Sequence, residues 1–129
     1  MNSVQDVKII VNELCMSFER QLSLYKELLD GVRANMSQLI LSRGDPGILM
    51  VGVDKKVKLI DKINQERSDV AGHIEFWQEH REKLSNTVDA AALNDILTRT
   101  EDIIKEFLAE EEKLKQYVEK MYSKSATFN

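Results

Sequence analysis

Residues Leu41–Ile60 read LSRGDPGILMVGVDKKVKLI, and the reading of this stretch decides the fold. It holds the only proline of the chain, three of its five glycines and its most apolar short run, Ile48–Val51. Arg43-Gly44 has the form of a helix terminus, with Gly44 as a left-handed cap. Asp45-Pro46 has the form of a helix start, an N-cap carboxylate followed by a first-turn proline. Gly47 and Gly52 each weaken a helix by about 1 kcal/mol, so the new helix starts either at Pro46 or after Asp54. The glycines therefore mark a corner between two helices. Ile48, Leu49, Met50 and Val51 are expected to cap the end of a bundle; the competing reading is that they contact a partner.

Upstream of the corner, Val4, Val7, Val11, Leu14, Phe18, Leu22, Tyr25, Leu29, Val32, Met36 and Leu39 are spaced by alternating threes and fours. One extra step of four separates Phe18 from Leu22, a stutter in a heptad seam. Ile10, Leu24, Leu28 and Ile40 widen the seam into a stripe able to face two helices at once. At the far end, Leu93, Ile96, Thr100, Ile103, Phe107, Glu110, Leu114, Tyr117 and Met121 repeat the pattern, with Asn86 or Thr87 as the expected N-cap. The middle segment is less apolar. Val53, Val57, Ile60, Ile63, Val70, Ile74, Trp77 and Leu84 are expected to share its buried face, with Arg67 and Arg81 snorkelling from it.

The spacing thus predicts an all-α chain: three long antiparallel helices over about 3–42, 46–84 and 87–122, forming one elongated bundle or coiled coil, with a flexible tail at 123–129. A chain of 129 residues is one domain's worth. Charged residues at 31% and hydrophobics at 43% exclude both a disordered and a membrane-embedded class. No secretory signal opens the sequence, and the single cysteine, Cys15, suits a reducing compartment as a small packed hydrophobe, so a cytoplasmic location is expected. A net charge of −4 argues against nucleic acid as the main partner. Neither membrane insertion nor a cofactor is expected.

No catalytic constellation is legible, and no enzyme activity is expected. His73 and His80 stand seven apart with Trp77 between them, which lacks the spacing of a helical metal site. A histidine phosphotransfer domain wants lysine and glycine just after its histidine, where this chain has GHIEFWQEH. Glu110-Glu111-Glu112 is expected to be a solvated helix face, near Lys113 and Lys115.

The segments ERQLSLYKELLDGV and SRGDPGILMVGVDKKVKLIDKI, followed by further amphipathic helix, resemble the FlgN family of flagellar export chaperones. In that family a leucine-rich first helix ends at a Gly-Asp corner, here Gly44-Asp45. The next helix carries a Lys, Leu, Ile spacing, here Lys56, Leu59 (or Ile60) and Ile63. The likeness covers about residues 10–122, and the run ILMVGV is more apolar than the family's usual charged continuation. The resemblance implies a chaperone that binds the C-terminal helical segment of hook-associated, hook–filament junction proteins and delivers them to the type III export gate. It places the client contact on the C-terminal helix, at Leu114, Tyr117, Val118, Met121 and Tyr122, with Ile48–Val51 as a second choice. The alternative is a helical scaffold that self-associates into a homo-oligomer, with no role in export.

Overall fold

The computed structural model describes residues 4–84 and 88–127, and among them there is no strand. Helix α1 spans Val4–Leu41, α2 Pro46–Asp69, α3 Ala71–Leu84 and α4 Val88–Thr127. The chain runs up, down and up: α2 and α3 descend against α1, and α4 returns parallel to it. The pairings fix these directions. On α2, Glu66 meets Ser17 and Arg20, while Ile48 meets Asn35. On α4, Leu93 clusters with Leu14, Glu106 meets Arg33, and Met121 lies against Gly44.

The corner is built from side chains reading their own backbone. The Gly44 amide donates to Leu39 O (2.8 Å) and the Arg43 amide to Ile40 O (3.1 Å), the paired bonds that close a helix C-terminus. Gly44 was the expected left-handed cap, but Arg43 also takes that conformation (φ 59°, against 88° for Gly44). Asp45 Oδ1 accepts from the Gly47 amide at 2.9 Å, and α2 starts at Pro46 rather than after Asp54.

Two of the expected boundaries are corrected. The helix expected over 46–84 is interrupted at Val70 (φ −110°, ψ 11°), giving α2 and α3. Val70 and Gly72 are both weak helix formers, so a break costs little there. Val70 and Trp77 then both enter one core cluster. At the other end α4 continues to Thr127 instead of ending at 122, because no proline or glycine follows Tyr122 to stop it. The expected N-cap, Asn86 or Thr87, lies outside the described residues, as do the side chains of Val4, Arg81 and Leu84.

The core has two apolar parts. Val11 and Leu14 of α1 pack with Val70, Trp77, Ala90 and Leu93 near one end, with half-buried Cys15 against them. Leu29, Val32 and Leu39 pack with Leu114 near the other, with Ile48 and Leu49 against them. Between the two lies a polar waist. Ser17 and Gln21 are buried and hydrogen-bonded to each other (3.3 Å). Ser17 Oγ also donates to Glu66 (3.0 Å), which receives Arg20 in a two-pronged pair at 2.7 and 3.2 Å. The Arg20 hydrogen bond holds the Glu66 carboxyl below the usual glutamate range against the opposing effect of desolvation, with Ser17 assisting. Beyond the waist, Asn35, also buried, donates to Ile48 O at 2.9 Å.

Two glycines should respond in opposite directions to alanine. A Cβ on Gly31 meets nothing within 4 Å, so Gly31→Ala should stabilise by up to about 1 kcal/mol through helix propensity. A Cβ on Gly52 would collide with the Asn35 amide, which is held in place by its bond to Ile48. Gly52→Ala should therefore destabilise despite the same propensity gain, by about 1–3 kcal/mol as overpacking does. Urea unfolding of both variants checks the sign.

The waist makes a pH prediction. The Glu66 pKa is lowered on folding, so its contribution is present above the ordinary glutamate range and is lost as pH falls through the lowered value. The stability difference between the native chain and Glu66→Gln should therefore shrink on acidification below that range. An unchanged difference would show that Glu66 does not carry it.

Candidate functional site: the open seam between α2 and α4

Helix α1 is the partner that α2 and α4 share, and these two scarcely approach one another along their backbones. They are linked by the ion pair of Lys56 with Glu111 at 3.2 Å and by the apolar cluster that Ile48 and Leu49 share with Phe107 and Leu114. Beside the ion pair a small cleft opens, floored by Leu28, Val32 and Asn35 of α1 and walled by Leu49, Gly52, Val53, Lys55 and Leu59 of α2 and Phe107 and Leu114 of α4.

The register of α2 corrects the expected one. Val53, Val57 and Ile60 were placed on the buried face; their exposures are 36%, 50% and 38%. The stripe that faces the bundle is instead Leu49, Gly52, Lys56, Leu59, Ile63 and Glu66, in which only Ile63 is fully buried. The cause is polar. Glu66 must reach Ser17 and Arg20, Ile48 O must reach Asn35, Lys56 must reach Glu111, and Gly52 must pass close to Asn35. These anchors turn the more apolar stripe of α2 towards solvent. Full burial of a valine or isoleucine side chain would be worth about 1.5–3 kcal/mol, so the free chain forgoes a substantial stabilisation.

Helical geometry shows where the displaced stripe points. At 3.6 residues per turn, Ile60 and Val53 lie within about 60° of Lys56, on the side of α2 towards α4, with Val57 and Met50 further round. On α4, Ile104 and Tyr122 lie within about 20° of Glu111, and Leu108 about 60° outward. Six of the eleven exposed large hydrophobics among the described residues therefore border this one seam: Met50, Val53, Val57, Ile60, Leu108 and Tyr122.

The residues singled out in the sequence divide between core and surface. Leu114 is buried, and Tyr117 and Val118 pack half-buried against the second apolar cluster. Met121 is half-buried, its side chain lying over Gly44. Tyr122 is exposed at 45%. The run Ile48–Val51 splits: Ile48 and Leu49 pack on the core, whereas Met50 (58%) and Val51 (56%) face solvent. The structure brings Met50 and Tyr122 to the seam and leaves Val51 on another side of α2. The glutamate run is not simply a solvated face either. Glu110 reaches Arg33 at 3.9 Å and Lys113 at 3.4 Å, and Glu111 bridges to α2. His73 pairs with Glu13 of α1, and His80 stacks on Phe76 with centroids 4.1 Å apart.

Sequence reading missed Val53, Val57 and Ile60 as surface residues. Two apolar stripes lie side by side on α2, one position apart, and hydrophobicity alone selects the greasier one as core. The signal that distinguishes them is the pair of interrupting polar positions, Lys56 and Glu66, each with a partner on a facing helix. No helix among the described residues is long and apolar enough to cross a membrane, and they contain no group of three or more residues able to hold a metal ion. No family model, curated protein or solved structure matches the chain.

Proposed function

We propose that the protein is a helix-binding chaperone whose open α2/α4 seam receives an amphipathic client helix. The observation that carries this reading is the outward rotation of the more apolar stripe of α2. A helix laid against Val53, Val57 and Ile60 on one wall and Leu108 on the other would complete a four-helix arrangement and remove this surface from water.

The FlgN-like corner and first helix supply the client. On that resemblance the helix is the C-terminal segment of a hook-associated protein, held in the cytoplasm and released at the flagellar export gate. Of the C-terminal-helix contacts that the resemblance implies, Tyr122 is the one left exposed at the seam, and Met50 joins it from the second-choice run. A self-associating scaffold would use the same surface between two copies, and the mass of the chain in solution separates the two readings.

The test is a double variant. Val57→Ser with Leu108→Ser removes apolar area that is half or more solvated (50% and 59%), so the melting temperature should change little, as for surface substitutions of within about 0.5 kcal/mol each. Affinity for the C-terminal segment of a hook-associated protein should fall by about tenfold or more. Unchanged affinity would move the client site off this seam. Failure of the native chain to bind any such segment would remove the export reading.

A further inference from the structure

The outer face of α4 carries charges whose sign is exchanged about one residue, Leu108. Glu101 and Lys115 stand seven positions before and after it, each within about 20° of it round the helix. Lys105 and Glu112 stand three positions before and four after, both about 40–60° round on the side away from α2. All four are exposed. None takes part in an ion pair among the described residues, although Glu101 and Lys105 have the spacing that forms one along a helix. Glu112 accepts a hydrogen bond from Gln116 of its own helix at 3.4 Å.

Two such faces laid antiparallel, with Leu108 against Leu108, bring Glu101 opposite Lys115 and Lys105 opposite Glu112. The two-fold axis makes each of these contacts twice. A parallel pair would instead set like charge against like at all four positions. The rest of the seam fits the same axis. Lys56 of α2 is level with Glu111 of α4 and the two helices run in opposite directions, so the level of Leu108 is reached on α2 at about residue 59. Val57 of one copy then falls opposite Ile60 of the other, beside the paired leucines, and all three are among the exposed large hydrophobics. Resting on the same seam as the client reading, we infer that the free chain pairs with a second copy, antiparallel about Leu108, and that a client helix takes that copy's place. The apolar centre supplies the buried area, and the order of charges fixes direction and register, as flanking charges do in helical coils.

The experiment follows the mass of the full chain by sedimentation equilibrium across a dilution series. The native chain should approach twice its own mass at high concentration. Lys115→Glu, or Glu101→Lys, sets like charges opposite each other and should weaken pairing about tenfold or more at low salt. Neither should lower the melting temperature, since both side chains are exposed and outside the ion pairs of the fold. Mixing the two single variants in equal amounts, or combining them in one chain, restores opposite signs across the two-fold and should recover native pairing. A single-chain mass at every concentration, or weakening that the combined changes do not recover, would overturn the inference. Adding the C-terminal segment of a hook-associated protein should replace the pair by single chains with one segment bound each, so the mass with the segment present is the one that separates chaperone from scaffold. A pair that keeps its mass with the segment bound would overturn the shared site. Pairing with no capture of the segment would sustain the pair and remove the chaperone reading instead.

Discussion

A single helix that must bury more than one side of itself sets the terms for the rest of the molecule. The stripe of α1 is wide enough to meet α2 along one flank and α4 along the other, and its central residues, such as Leu28 and Val32, fill the space between them. Because each outer helix satisfies itself against α1, neither needs close backbone contact with its fellow. In a three-helix bundle closed on all sides, α2 and α4 would interlock. Here a salt bridge and a shared apolar cluster near one end join them, and an apolar seam stays open.

What holds the seam open is the polarity of the α1/α2 interface. Hydrophobic burial is non-directional and would accept either register of α2, with a preference for the stripe holding Val53, Val57 and Ile60. Hydrogen bonds are directional, and a buried donor or acceptor left unmade costs about 1–3 kcal/mol. Ser17 and Asn35 are buried on α1 and donate to Glu66 and Ile48 of α2, so rotating α2 by one position would strand both donors at once. The polar set therefore selects the register, and among described side chains no buried polar atom is left unpaired. Specification of register by a few interior polar groups is a familiar property of helical coils. In this chain the same choice determines which side chains meet solvent.

Much of the fold was legible because periodicity reports it directly. The seams of α1 and α4 coincide with the expected ones, from Leu14 and Leu39 to Leu93 and Leu114. The corner chemistry of Asp45 and Pro46 was also legible, since capping depends on neighbours in sequence. The break at Val70 was not, because it depends on Val70 and Trp77 entering a cluster built by residues far away in the chain. The register of α2 was illegible for a related reason. It rests on Glu66 meeting Arg20 and on Asn35 meeting Ile48, pairings between helices that no local pattern announces. Of the site, Tyr122 and Met50 could be found from position, whereas Val57, Ile60 and Leu108 required the folded arrangement.

A binding surface made this way has a consequence for how a client would be released. The apolar wall of α2 is exposed because of contacts on its opposite side, so the wall is set before any partner arrives. On the proposed reading, binding would then carry little cost for reorganising the bundle, and a preformed groove would suit fast exchange of a helix that is later given up. Asn35 lines the cleft between α2 and α4, but two of the anchors that aim the wall, Arg20 and Glu66, lie outside it. Substitutions at these positions would alter capture by turning α2 rather than by removing a contact. On the chaperone reading proposed above, the residues that would touch a client are largely separate from those that hold its site open.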